Sequence, residues 1–386
     1  MSILSEEVGE AKERLKAWWD HEIIDRPCIA YNYPKVNKKD VGFVNVIEYL
    51  DPWYLAQDWD GFEPCLEKFE EHLKSIKFGG EAVPRFWPNY GPGIMASIFG
   101  IIPKYQSNTV WFHKETSVDE IVSVLEKTKL NRNNPWYDRL LKIVEYSSKR
   151  AKDKYFIALP DLGGVLDILS SFLGPTNIIL TMKRKPGIID TCRSIILEKL
   201  IKVYNDLQTI IEREGNGCLT WLPIWCPKRW YPIQSDFSSM LSPKYFQRFT
   251  LPDLITQAEN LDFSIFHLDG PHLLPHLDDL LKQSTIHGIQ WAPGAGERNI
   301  NDEKWLPLYK KIQKQGKNLI IGNPGEVINI PALFYKNLDP KGLFTYVVFT
   351  RKLNALYYLP EFMGGNGAEK DYKIFKKEFR IRAKNE

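Results

Sequence analysis

The amino-acid sequence predicts an α/β protein with the (β/α)8 TIM-barrel fold, because short strand-like runs alternate with helical segments along most of the chain. In the helical segments, for example residues 243–260 and 302–315, apolar residues return every three or four positions, which is typical of a helix with one buried face. Eight strand–helix units in one chain favour the barrel. The eight runs rich in β-branched and aromatic residues are 27–33, 83–90, 155–162, 218–225, 263–269, 287–293, 318–324 and 343–349.

Local signals at the ends of the helices support this assignment. Ser242 and Pro243 form a helix start, with serine as N-cap and proline in the first turn, and Gly316 is a natural helix stop before a strand. We therefore expect a single domain. Its parts are an N-terminal helix packed on the barrel (1–24), the barrel itself (25–355) with a loop insertion of a hairpin and extra helices (100–150), and a C-terminal helix (356–386).

Composition and charge exclude several classes of function. The 386 residues carry 51 basic and 48 acidic side chains, for a net charge of +3, and this balance lacks the basic footprint of a nucleic-acid-binding protein. The five cysteines include no CxxC pair, which favours reduced thiols in a cytoplasm. We see neither a signal peptide nor an apolar run of about 18 residues. A cytoplasmic protein without nucleic-acid or membrane partners is the expectation.

Chemistry in a barrel of this kind takes place where the strands end, so polar residues at those ends are the candidates for a site. His267 and Asp269 lie two positions apart in "FHLDG", and side chains two apart on a strand share one face. The pair suits a base with its orienting carboxylate, or two metal ligands. The alternative is that Asp269 caps the helix beginning near Leu273 and His267 satisfies a loop carbonyl.

The other histidines are weaker candidates. His272 and His276 in "HLLPH" have the i, i+4 spacing of helical zinc ligands, but no glutamate follows the first histidine and Pro275 disturbs the turn. We expect this pair to be exposed. His113 is predicted to lie on a hairpin surface, and His21 to end the first helix.

Tryptophans near the strand ends suggest a pocket for a bulky substrate. The chain has twelve tryptophans, and several could line an apolar pocket for a flat organic molecule or a sugar ring. The alternative is that they fill the core. Those on or just beyond predicted strands are Trp87, Trp221, Trp225, Trp230 and Trp291.

The run "SDFSSMLSPKYFQRFTLPDL" (235–254), followed by "FHLDG", "NLIIGNPGEV" and "KGLFTYVVFTRKLNAL", resembles the uroporphyrinogen decarboxylase (URO-D) superfamily. "DRPCI", "NYGPGIMASIFG" and "PDLGGVLDILSSFLG" are similar to earlier landmarks of the same family, in the same order. The resemblance covers residues 25–355. It implies a (β/α)8 barrel and a lyase or methyltransferase activity, since the family also contains zinc-dependent, cobamide-dependent methyltransferases.

The sequence departs from both branches of that family. Decarboxylases have an arginine-rich stretch after the first strand, where this chain reads "IAYNYPKVNKKD". Two positions that hold a tyrosine and a serine in the decarboxylases fall near Ser171 and Asp236 in this chain. Methyltransferases bind zinc through His-x-Cys and a second cysteine, whereas this chain has His267-Leu268-Asp269 and no cysteine in "FTYVVFTRK". The resemblance thus implies a divergent member, in which His267 and Asp269 are candidate metal ligands with an oxygen in place of sulfur.

Taken together, these observations predict an enzyme, a methyltransferase or lyase that acts on a bulky small organic substrate. The resemblance implies that a zinc ion could be bound and that a corrinoid could be the substrate or be carried by a corrinoid protein partner. It also implies a homodimer. Predicted catalytic residues are His267, Asp269, Asp161 and Asp236, and predicted substrate-binding residues are Asn89, Asp167, Trp221, Trp225, Trp291 and Asn323.

Three other functions stay open. One is a carboxy-lyase with a porphyrin-like substrate. The second is a carbohydrate-active barrel in which Asp161 and Asp269 flank a glycosidic bond. The third is a non-catalytic barrel that only binds a corrinoid or another ligand.

Overall fold

The computed structural model describes residues 6–35, 62–106, 109–294, 296–323 and 337–349. Helices and strands alternate along the chain, so the predicted mixed α/β class is confirmed. The predicted C-terminal helix (356–386) and the end of the predicted barrel (350–355) lie outside the described residues. The strands are β1 (Cys28–Pro34), β2 (Ile76–Gly80), β3 (Arg85–Phe86), β4 (Lys104–Tyr105), β5 (Val110–Trp111), β6 (Phe156–Ile157), β7 (Trp230–Ile233), β8 (Phe263–Asp269), β9 (Gly288–Ala292), β10 (Asn318–Asn323) and β11 (Leu343–Val348).

The helices lie between these strands, and three short 3-10 turns at Asp236–Met240, Pro271–His276 and Glu303–Trp305 supplement them. The α-helices are α1 (Glu6–Trp19), α2 (Glu63–Ser75), α3 (Ile94–Ile98), α4 (Ile121–Lys127), α5 (Pro135–Ala151), α6 (Val165–Arg184), α7 (Pro186–Arg213), α8 (Pro243–Phe249), α9 (Leu251–Glu259), α10 (Leu277–Leu281) and α11 (Leu306–Lys314).

A seven-stranded sheet organises the fold, with the strand order β2-β1-β11-β10-β9-β8-β7. All neighbours in it are parallel except β1 and β2, which pair antiparallel. A separate parallel pair joins β3 to β6, and β4 and β5 form a hairpin. Because the six parallel strands run in the same direction, their carboxyl ends meet at one edge of the sheet.

The fourth predicted strand, 218–225, differs from the observed one. The strand in the sheet is β7 at Trp230–Ile233. In the predicted run, Cys218 forms only an isolated antiparallel bridge with Cys226, just beyond the end of the run. Pro232 is tolerated in β7 because this strand is the last in the sheet, where one of its edges carries no ladder.

Side chains on the two faces of the sheet belong to two different buried clusters. Ile265, Ile320 and Phe344 project into the larger cluster, and their neighbours Phe266 and Ile321 project into the smaller one. Since side chains alternate along a strand, the face of Ile265 also carries His267 and Asp269. The register between β8 and β9 adds Gln290 opposite His267.

The N-terminal helix α1 packs on the larger cluster through two tryptophans. The ring of Trp19 lies 4.9 Å from that of Trp230, and the ring of Trp18 lies 5.7 Å from that of Phe344.

The fully buried carboxylate of Glu81 accepts hydrogen bonds from both arms of the Arg26 guanidinium at 2.8 Å and from the backbone N–H of Ile29. A buried carboxylate needs such partners, so this group ties β2 to the start of β1.

Helix α6 is the one described helix that is long and apolar enough to cross a membrane, by length and composition alone. Half of its most apolar window is buried inside the fold. The helix is interrupted at Gly174, whose φ of 71° is outside the helical region, and is followed there by Pro175. These features are those of a core helix.

Candidate functional site

Asp236, His267 and Asp269 form a compact cluster at the carboxyl ends of neighbouring strands. Each offers one ligand atom, and the three atoms lie within 4.8 Å of one another. It is the one group of three or more such side chains found in the described parts of the chain. His267 and Asp269 come from the end of β8, and Asp236 begins the 3-10 turn that follows β7. The structure thus joins the predicted strand-end pair to a third predicted residue.

Gln290 fixes the orientation of the imidazole. The Gln290 side chain donates from Nε2 to the backbone oxygen of Trp291 at 3.2 Å, which leaves Oε1 to accept a hydrogen bond from Nδ1 of His267. With the proton on Nδ1, the lone pair of His267 is on Nε2. Metal-binding histidines have this arrangement, in which the second ring nitrogen donates to a fixed acceptor.

Trp221 covers one side of the His267 ring. The two ring centroids are 5.1 Å apart at an angle of 88°, an edge-to-face contact. Trp221 is the predicted tryptophan that the structure brings directly against the cluster. Its indole N–H is buried and has no hydrogen-bond partner in the described structure.

Asp167 positions the loop that carries Asp236. Its two carboxylate oxygens accept the backbone N–H groups of Asp236 at 3.1 Å and Phe237 at 2.7 Å. Burial and the charge of Asp236 raise the pKa of Asp167, while the two amide hydrogen bonds oppose that rise. Asp167 was predicted to bind substrate, and these contacts give it a structural role beside the cluster.

Asp161 belongs to the same group of carboxylates. It accepts the N–H of Gly163 at 2.9 Å and the Nε2 amide of Gln234 at 3.3 Å. Burial raises the pKa of Asp161 to about 7, and the charges of Asp236 and Asp167 add to the rise. Asp236 keeps solvent-exposed surface, yet the surrounding protein desolvates its carboxylate and raises its pKa. Attraction to His267 opposes this rise in the pKa, and repulsion from Asp269 adds to it. A divalent cation would offset this concentration of negative charge.

The pKa of Asp161 gives a test of the charge in this group. The pKa of Asp161 in the folded protein, about 7, exceeds the ordinary value of 3.8. Folding therefore favours the protonated carboxyl, and Asp161 lowers the free energy of unfolding as the pH rises from about 4 to above 7. Asp161→Asn keeps the acceptor and removes the charge. We expect the variant to be more stable than wild type by roughly 1–4 kcal/mol near pH 8.5 and nearly equal to it near pH 4.

The measurement is urea unfolding of the metal-free protein at both pH values. Asp119→Asn is the matched control, because Asp119 is 82% exposed. A stability difference for Asp161→Asn that is the same at both pH values would contradict the assignment.

Three of the predicted substrate-binding residues do not join the cluster, and a fourth, Asn323, is not described beyond its backbone. Asn89 is used locally, since its Oδ1 accepts the N–H of Gly91 at 2.9 Å in a turn. Trp225 donates to the carbonyl of Asn216, and the ammonium of Lys12 on α1 lies over its ring. Trp291 is fully buried on the opposite face of β9 against Trp305, because it alternates with Gln290. Asn323 ends β10, and its side chain lies outside the described part of the structure.

The "HLLPH" histidines differ from each other. His272 is exposed, as predicted, whereas His276 is fully buried and its Nε2 bonds to the carbonyl oxygen of Ser238 at 2.9 Å. The imidazole also stacks on Phe246, with ring centroids 4.2 Å apart. The expectation of an exposed pair was therefore wrong for His276, because Pro275 lies in a 3-10 turn whose face differs from that of an α-helix.

Sequence reasoning missed two polar residues, one that contacts the cluster and one that contacts Trp221 beside it. Gln290 was read only as part of a strand, although it pairs in register with His267. Arg85 was read as an ordinary strand residue, yet its guanidinium donates to the backbone oxygens of Thr220 at 3.2 Å and Trp221 at 3.0 Å. A single charged residue inside a predicted barrel strand was the available signal for Arg85.

Comparison with known proteins identifies a fold relative without identifying a family. No protein-family model matches the sequence, and no curated protein matches it. Among solved structures, the chain is similar to a methyltransferase from Methanosarcina mazei, with a TM-score of 0.56 and 13% sequence identity. The match covers 92% of this chain and 97% of the methyltransferase. At this identity the likeness shows the fold alone.

Proposed function

We propose that this protein is a metal-dependent enzyme with a URO-D-like (β/α)8 barrel, and that it transfers a methyl group. The observation that carries the proposal is the cluster of Asp236, His267 and Asp269 at the carboxyl ends of parallel strands, where barrel enzymes place their chemistry. The fold likeness to a methyltransferase supports methyl transfer among the reactions that such a cluster can serve.

The ligand set indicates the kind of metal. One imidazole nitrogen and two carboxylates suit a divalent ion such as Zn²⁺ or Mn²⁺. The five cysteines are all buried elsewhere in the fold, and none belongs to the cluster. When bound, the ion would act as a Lewis acid that lowers the pKa of a coordinated nucleophile. Zinc remains a proposal here, as does a corrinoid methyl donor.

The protein residues have separate roles in this proposal. His267, held by Gln290, and the two carboxylates fix the ion, and Trp221 shields one side of the His267 ring. Asp167 holds the loop of Asp236 in place. Asp161, with its pKa of about 7, exchanges a proton near neutral pH. This last feature also favours a second candidate function, a lyase in which a carboxylic acid protonates a carbanion.

The geometry is less suited to the carbohydrate-active alternative. That alternative places Asp161 and Asp269 on either side of a glycosidic bond. Asp269 instead groups with Asp236 and His267 as a possible metal ligand, and Oδ1 of Asp161 already accepts hydrogen bonds from Gly163 and Gln234. A homodimer, a corrinoid protein partner and a cytoplasmic location also remain proposals.

The test uses methylcobalamin as donor and a small thiol as acceptor. We expect methylcobalamin consumption, followed by its visible absorption, to require added Zn²⁺ or Mn²⁺ and to stop with EDTA. His267→Ala should be inactive with the same additions, and His272→Ala should be as active as wild type. Metal-independent consumption, or equal rates for wild type and His267→Ala, would contradict the proposal. Turnover of a carboxylated substrate with release of CO₂ would favour the lyase.

A further inference from the structure

Arg85 is a cation for which the described residues supply no anionic partner, since no carboxylate among them lies within 4.0 Å of it. Two of its five N–H groups donate to the backbone oxygens of Thr220 and Trp221, and the others have no protein acceptor there. Surrounding protein desolvates the guanidinium enough to lower its pKa to about 10. Arg85 is only partly buried, so a ligand can reach it, and a desolvated charge is stabilised by an anionic partner.

The side chains around Arg85 supply further donors. The guanidinium carbon lies 6.0 Å from the centre of the Trp87 ring. Both Trp87 and Trp221 have a buried indole N–H for which the described residues supply no hydrogen-bond partner. An indole N–H is a donor only. Arg85, Trp87 and Trp221 therefore offer hydrogen-bond donors and positive charge, and this group is called the Arg85 site below.

The Arg85 site is contiguous with the metal-binding cluster. Arg85 donates to the backbone oxygen of Trp221, and the ring of the same tryptophan contacts the imidazole of His267. Tyr346 lies within electrostatic range of Arg85. Its ring lies directly over Gly322, where an added Cβ would be 1.8 Å from the ring. Gly322 thus leaves the space that Tyr346 needs beside Arg85. One molecule could reach from Arg85 past Trp221 to the cluster.

We propose that the Arg85 site binds a carboxylate of the substrate, so that the substrate is a small organic acid with its reacting group at the Asp236–His267–Asp269 cluster. A guanidinium fork with flanking N–H donors matches the two oxygens of a carboxylate. The acidic cluster repels the same group, which orients the molecule with its carboxylate at Arg85. This inference concerns the substrate and therefore rests on the proposed function. The contacts of Arg85 that support it do not depend on a bound metal.

The test compares an acid with its neutral amide. The probes are 3-phenylpropanoate and 3-phenylpropanamide, which have the same shape and differ in charge, titrated calorimetrically into the metal-free protein with EDTA at neutral pH. Wild type should bind the acid about 10- to 100-fold more tightly than the amide. Arg85→Gln should remove this preference, whereas Arg248→Gln, an exposed arginine paired with Asp190, should retain it.

Several outcomes would overturn the inference. These are equal binding of acid and amide to wild type, no binding of either, or an unchanged preference in Arg85→Gln. If Arg85→Gln does not fold, Arg85→Lys keeps the charge without the fork and should show a preference that is reduced several-fold. Metal titration of Arg85→Gln should match wild type. A metal-free protein that still prefers the acid would keep this inference even if the metal-dependent function fails.

Discussion

Replacing His267 by alanine is expected to abolish metal-dependent turnover and to weaken metal binding by at least about 100-fold. The imidazole is the one nitrogen ligand in the cluster, and its removal leaves only two carboxylates that repel each other. The substitution should leave the fold intact, because the side chain is only partly buried at the end of β8. Calorimetric titration with Zn²⁺ measures the affinity, and circular dichroism checks the fold.

His272→Ala is the matched control for this experiment. His272 is exposed and near the same loop, but it does not belong to the cluster. Zn²⁺ affinity that falls equally in both variants, or in His272→Ala alone, would show that the ligands were assigned to the wrong histidine.

Replacing His276 by alanine is expected to destabilise the protein by about 2–4 kcal/mol. The change removes a fully buried ring stacked on Phe246 and one of the two hydrogen bonds that the Ser238 carbonyl accepts, the other coming from the N–H of Leu241. Burial lowers the pKa of His276, so the neutral imidazole is the form that fills this site. Because Ser238 belongs to the turn that begins with Asp236, metal affinity should also fall.

Urea unfolding measures the change in stability. His272→Ala should shift the unfolding free energy by no more than about 0.5 kcal/mol, because that side chain is exposed. Equal, small effects of the two substitutions would mean that His276 does not hold the turn of Asp236.

The alternation of elements and the His267/Asp269 pair could be predicted from the sequence for a physical reason. A strand exposes alternate side chains to one face, so two polar residues spaced by one leucine at a strand end must converge. Asp236 entered the prediction only through the family resemblance, because it lies near the position of the decarboxylases' serine. Its contact with His267 depends on how β7 and β8 pair, which is a long-range property that local patterns do not contain.

The tryptophans show where local patterns fail. Trp225 and Trp291 have the same predicted strand-end position as Trp221. Trp225 lies in a run that is not a strand of the sheet, and Trp291 is one residue away from Gln290 and so lies on the other face of β9. The position of β7 could not be predicted either, because the run 218–225 is more strand-like in composition than "WYPI". The roles of Arg85 and Gln290 depend on hydrogen-bond partners more than 20 residues away in the sequence, so local patterns do not reveal them.

An anomalous difference map is the most direct test of the central claim. A crystal grown with Zn²⁺ or Mn²⁺ and measured at the absorption edge of the metal should show one strong peak bounded by Asp236, His267 and Asp269, about 2.0–2.3 Å from each ligand atom. The account predicts Nε2 as the coordinating atom of His267, because Nδ1 bonds to Gln290. A map without a peak at this cluster, or with its main peak at His272, would contradict it.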